Sequence, residues 1–157
     1  MFMATTTEFL ATVPLFKGLD ADEMAKFAEL LRDKSYPKGS VILFEDDPGD
    51  ALFIVRAGRV KVVLVAEDGR EVILGILGPA EHFGELSLID SNPRSATVRA
   101  VAPSRLLEMT PTLLDTLYRR EPKSYLMIVL NAARELSRRL RVADALELAL
   151  LQDAQQL

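Results

Sequence analysis

The sequence predicts an α+β fold in which a block of short strands is bracketed by helices, and three observations predict it. From Ser40 to Met109 the texture is one of short β-branched runs separated by turn residues, the spacing of a sandwich or barrel. Ahead of that block, Asp20 followed at the third position by Glu23 has the form of a capping box, and Met24, Phe27, Ala28 and Leu31 recur behind it at helical spacing. After the block, Thr110-Pro111 and Pro122 each have the chemistry of a helix start, and the second stretch runs past Leu150 without a further Gly or Pro.

Taken in order, Glu8 to Val13 is expected to be a short helix leading into Pro14-Leu15-Phe16, whose apolar side chains pack on the sheet. A helix over about 20–33 follows and is stopped by Tyr36-Pro37, because the residue before a proline is pushed out of the α region. Strands are expected at Val41–Phe44, Ala51–Arg56, Val60–Val65, Val72–Leu77, Ala96–Val101 and Arg105–Met109, with an acidic turn at 46–50 and a hairpin at Asp68-Gly69. Thr110 then caps a helix to about Tyr118. The helix opened by Pro122 would be close to ~45 Å long at 1.5 Å per residue. Its apolar positions Val129, Ala133, Leu136, Leu140, Ala143 and Leu150 follow a four-three spacing broken at Glu147, which reads as a homodimer seam. The competing reading is that the stripe packs on its own barrel. Arg138, Arg139 and Arg141 share that helix with Glu135, Asp144 and Glu147, so they read as a solvated face.

A chain of 157 residues points to one domain, 1–157, large enough to bury a core without metal or disulfide help. Cysteine is absent, which removes disulfides, thiolate chemistry and cysteine-based metal sites. The N-terminus lacks the form of a signal peptide, and no run reaches the roughly 18 to 20 apolar residues of a membrane span. A cytoplasmic protein without membrane contact is the expectation. A net charge of −4 opposes attraction to a polyanion, so no direct DNA binding is expected. The acids Glu45, Asp46, Asp47 and Asp50 lack the spacing of a calcium loop and read as a solvated turn, with no metal. His82 is the only histidine, and no nucleophile-base pair is present, so the chain is not read as an enzyme.

The chemistry concentrates in residues 82–100, HFGELSLIDSNPRSATVRA. Gly84 lets backbone approach a ligand closely, Glu85 brings a carboxylate, the residues after it offer free amides at a helix start, and Arg94 brings a fork of donors suited to two phosphate oxygens. This reads as an anion-binding loop. The alternative is that Glu85 and Arg94 make a structural ion pair and bind nothing.

Gly84, Glu85, Pro93, Arg94, Ala96 and Val98, in that order and spacing, resemble the phosphate-binding cassette of the cyclic nucleotide-binding domain, the module of catabolite-activator-type regulators, cyclic-nucleotide-gated channels and kinase regulatory subunits. Together with Gly49 to Val55, Gly58 and Val60, the resemblance runs from about Pro14 to about Leu140. It implies an eight-stranded jelly-roll barrel, with helix and barrel over about 14–109 and C-terminal helices over 110–157. It also implies a site. Glu85 would accept from the ribose 2′-OH. Arg94 and the amides around Leu86 and Ser87 would hold the cyclic phosphate, with Phe83, Gly84, Ser95 and Ala96 completing the cassette. Val62 and Leu74 would supply apolar contacts, and Asp144 on the long helix is the candidate base contact. Ser95 after the cassette arginine points to cAMP over cGMP. The function implied is a cAMP-preferring regulatory domain that needs no cofactor and in which ligand repositions the C-terminal helix. The alternative is a catabolite-activator-type transcription regulator lacking or separated from its DNA-binding domain, since no residues remain after Gln152 for a recognition helix.

Overall fold

The computed structural model describes residues 5–49, 51–85 and 92–155. Thr5 caps α1 (Thr6–Leu10): its hydroxyl accepts from the Glu8 amide, and the Glu8 carboxylate accepts from the Thr5 amide. The first helix therefore begins and ends earlier than the expected Glu8–Val13, fixed by a capping box one turn upstream. A 3-10 turn at Pro14–Phe16 then buries Leu15 and Phe16. Helix α2 (Ala21–Leu30) starts where Asp20 and Glu23 exchange side-chain and backbone bonds of 2.8 and 2.9 Å. It stops short of residue 33, because Leu31 is already extended and the residues after it join a strand.

Among the described residues eight strands follow: β1 (Arg32–Tyr36), β2 (Val41–Leu43), β3 (Leu52–Ala57), β4 (Val60–Val65), β5 (Glu71–Leu77), β6 (His82–Phe83), β7 (Thr97–Ala100) and β8 (Ser104–Met109). They form two four-stranded antiparallel sheets, ordered β1-β8-β3-β6 and β2-β7-β4-β5. β1 and β6 were not expected from the sequence. β1 is a polar edge strand, in register with β8 from Arg32 opposite Glu108 to Tyr36 opposite Ser104, and held from above by Lys34 on Glu108 and by Asp33 on Arg105. Opposite charges facing each other across two strands do here what apolar burial does elsewhere.

β3 is buried on both faces and divides the interior. Leu52 and Ile54 point into a core shared with Leu10, Phe16, Phe27, Leu113 and Ile128 from the helices. Phe53 and Val55 point the other way, into a second core with Val60, Phe83, Val98 and Leu106 between the sheets.

Helix α3 (Pro111–Arg120) is capped by Thr110, whose hydroxyl accepts from the Leu113 amide. Helix α4 (Pro122–Ala154) then runs for 33 residues. Ser124, Ile128, Asn131 and Ala132 form its buried face, and the Asn131 amide donates to the carbonyls of Leu15 and Lys17, 2.8 Å each, pinning the helix to the N-terminal segment. From Leu140 to Gln155 every residue is exposed. In the expected seam Val129 and Leu136 are half-buried, while Ala133, Leu140, Ala143 and Leu150 face away from the sheets. The stripe as a whole does not pack on its own barrel. Among the described residues no helix is long and apolar enough to cross a membrane.

Candidate functional site

Gly84 lies at φ +84, where a side chain is strained, and a Cβ on it would sit 2.8 Å from the Ala51 carbonyl and 2.9 Å from Nη1 of Arg94. The chain leaving β6 therefore passes directly against the start of β3, and Arg94 fills the angle between them. Its Nη2 donates to the Ala51 carbonyl at 2.8 Å and its Nη1 to the Gly84 carbonyl at 3.4 Å. The backbone of Arg94 is tied to the acidic turn by paired bonds with Asp46 and Asp47, 2.9 Å each. Across that turn, a Cβ on Gly49 would come within 1.9 Å of Nε of Arg94, so a bare backbone is needed there too. The outcome is an arginine 8% exposed, fixed at the end of the second core.

That core is not filled. A cavity of about 300 Å³ opens between the sheets, at the small end of the range for ligand pockets. Of the residues the sequence singled out, Val62, Leu74, Phe83, Gly84, Glu85, Arg94, Ser95 and Ala96 all line it. Phe83 is held by a stack on Phe53, its register partner, with ring centres 5.3 Å apart. Leu86 and Ser87 fall outside the described residues. Asp144 is exposed on α4 and is not among the residues around the cavity.

Leu43, Gly75, Leu77 and Asn92 also line it without having been foreseen in this role, and so do two residues of α4, Leu136 and Arg139. Arg139, expected on a solvated face, reaches into the site: its Nη1 donates to the Glu85 carboxylate at 2.8 Å and its Nη2 to the His82 carbonyl at 3.3 Å. Glu85 is 4% exposed, so the pair is formed largely away from water, where each charge needs the other. Glu135 steadies the guanidinium from the same helix, its own carboxyl held down at about 2 by hydrogen bonding to Arg138 and by the Arg139 charge. His82 is buried, which pushes its imidazole below the ordinary range, and its Nε2 has no partner among the described residues.

A carboxylate and a guanidinium on the wall of one apolar hole suit a small molecule with a flat apolar body, a hydroxyl and an anionic group. Residues 33–121, more than half of the chain, match the cyclic nucleotide-binding domain. The chain belongs to that family. The domain is 40% identical over 138 residues to the cyclic AMP receptor protein of Thermus thermophilus, covering 88% of this chain and 62% of that protein. It is 34% identical over 134 residues to the CRP-like cAMP-activated global transcriptional regulator of Mycobacterium tuberculosis, covering 85% of this chain and 58% of that one. Its structure superposes on the N-terminal domain of a Streptomyces coelicolor transcriptional regulator with a TM-score of 0.73 at 33% identity, over 85% of this chain and 93% of that one. The domain thus spans about three fifths of the length of the curated relatives it matches. Among its described residues there is no group of three or more His, Cys, Asp or Glu placed to hold a metal ion.

Proposed function

We propose that the domain is a cytoplasmic sensor of a cyclic mononucleotide, with cAMP preferred, whose occupation changes how α4 docks. The supporting observation is that Glu85 and Arg94, both buried, line one apolar cavity with Val62, Leu74, Ser95 and Ala96. In this reading Glu85 accepts from the ribose 2′-OH, Arg94 holds the cyclic phosphate, and Val62 and Leu74 contact the sugar and base. The strand orders β1-β8-β3-β6 and β2-β7-β4-β5 support a jelly-roll closure of the two sheets around the ligand. Arg139 gives the coupling a physical route. It already occupies Glu85 from α4, so a ribose hydroxyl arriving at the same carboxylate favours one docking of the helix over another. Ser95 on the cavity wall and the cAMP named for the two curated relatives support the nucleotide preference.

Homodimerisation through α4 belongs to the same reading: Leu126, Leu130, Leu140, Leu148 and Leu151 are all exposed on a helix that outruns its own domain. Leu140→Asp should leave the fold intact and lower the sedimentation coefficient to that of a monomer. A parent already monomeric at tens of micromolar refutes the seam. A second reading, a transcription regulator of the catabolite-activator type acting with a separate DNA-binding domain, is favoured by the full-length activators the domain matches over only part of their length. Calorimetric titration with cAMP, cGMP and a cyclic dinucleotide tests the central proposal, and heat from neither mononucleotide refutes it.

A further inference from the structure

A second cavity, of about 430 Å³, lies where the N-terminal segment and the turn before β6 meet α4. Its frame is fixed by Asn131, whose amide donates to both Leu15 and Lys17 and so sets the N-terminal segment against the helix. The charges around it do not balance. Lys17, Arg134, Arg138 and Arg139 line it against only Glu81 and Glu135. Glu135 is fully engaged by Arg138 and Arg139, and Glu81 accepts from the Gly78 amide at 2.6 Å. Lys17 and Arg134 form no ion pair among the described residues, and Arg134 touches only the Asn131 side-chain oxygen, at 3.5 Å. This happens in a chain whose net charge is −4, where cations have carboxylates to choose from. His82 lines the same cavity, 4% exposed, with its Nε2 buried and without a partner among the described residues.

We infer that this cavity is a binding site for a small phosphate monoester, separate from the cavity between the sheets. Arg138 and Arg139 are matched by Glu135 and by Glu85 of the neighbouring cavity, which leaves Lys17 and Arg134 as the two charges that a phosphate dianion would neutralise. The guanidinium of Arg134 presents paired donors to two of its oxygens, and the Lys17 ammonium meets a third as a point charge. A monocarboxylate would leave one cation unmatched. The volume leaves room for a few carbon atoms beyond the phosphate, which favours an ester of a small metabolite over the inorganic ion.

Because His82 is the only histidine, its ring gives a single set of imidazole signals, and an Arg94 variant separates this cavity from the one between the sheets, with which it shares Arg139. Inorganic phosphate and glycerol phosphate are titrated at fixed pH and ionic strength while those signals are followed, with acetate and chloride as controls. The expected result is a saturable shift with both phosphates, tighter for glycerol phosphate, and at least a tenfold weakening in Arg134→Ala and in Lys17→Ala, both exposed positions that should not disturb folding. The same titration on Arg94→Ala, or on Arg94→Gln if the alanine variant does not fold, must still give the shift, since the cassette arginine is then gone. No saturable shift, an equal shift with chloride, a shift undiminished in both Lys17→Ala and Arg134→Ala, or one abolished by loss of Arg94 overturns the site.

Discussion

The two sides of β3 face interiors built on different terms. On one side Leu52 and Ile54 meet Phe16 and Phe27, whose rings lie 5.6 Å apart, and these side chains are almost wholly buried among four helices and the 3-10 turn. On the other side Phe53 and Val55 meet a core that stops short and leaves about 300 Å³ open, with a carboxylate and a guanidinium on its wall. Dense packing on the helical side supplies the stability that lets the inter-sheet side keep a hole. One strand serves both because side chains alternate across it, so Leu52 and Ile54 are stability residues while Phe53 supports the site.

The largest effect expected from this contrast is on the helical side. Phe27→Ala should lower the unfolding free energy by about 3–5 kcal/mol, read from urea denaturation, while Val62→Ala at the cavity wall should remain under about 1.5 kcal/mol because it borders space already empty. Equal losses would mean that the two cores are not divided as described. Next comes Arg94→Ala, which should weaken cyclic nucleotide binding by about 2–5 kcal/mol, as for a buried charged contact. Its urea midpoint should move far less than that of Phe27→Ala, and unchanged affinity would take the ligand out of this cavity. A smaller effect concerns which nucleotide is read. Competition of cAMP against cGMP should show about a tenfold preference for cAMP, or about 1.4 kcal/mol, and tighter cGMP binding would remove Ser95 as the selecting residue.

The smallest effect is one of pH. Burial holds the His82 imidazole below its ordinary value of 6.5, so between that value and the depressed one the unfolded chain carries more protons than the folded chain. Stability should therefore be complete above about pH 6.5 and decline as pH falls below it. His82→Gln should flatten that part of the profile, and an unchanged slope would assign the decline to another group.

What could be read from the sequence and what could not follows how local each cause is. The capping box of Asp20 and Glu23 and the Thr110-Pro111 start are each set within four residues, and both stand in the structure. The cassette residues too come together as their order implied, apart from Leu86 and Ser87, which lie outside the described residues. β1 escaped notice because Arg-Asp-Lys-Ser carries no alternation of apolar residues, and its partners on β8 are some seventy positions away in sequence. β6 is only two residues long. Arg139 was hidden by the acids beside it on the helix, since its decisive partner, Glu85, is 54 positions away. One signal was present. Ile128, Ala132, Glu135 and Arg139 recur at helical spacing, so a helix that buries the first two must aim the last at the same wall. Asp144, by contrast, is exposed and away from the cavity, on the part of α4 that none of its own sheets covers.

The placement of Asn131 makes α4 a geared arm. In the proposed coupling the helix is held at Asn131, moved at Arg139 eight residues further on, and uncovered by its own sheets out to its last residue, Ala154. At 1.5 Å per residue the driven point is roughly 12 Å from the pin and the free end roughly 35 Å. A rigid helix therefore multiplies any sideways step of Arg139 about threefold at its far end. An ångström lost or gained at a single buried carboxylate becomes a travel of about 3 Å at Ala154, comparable to the spacing between packed atoms and enough to make or unmake a contact there.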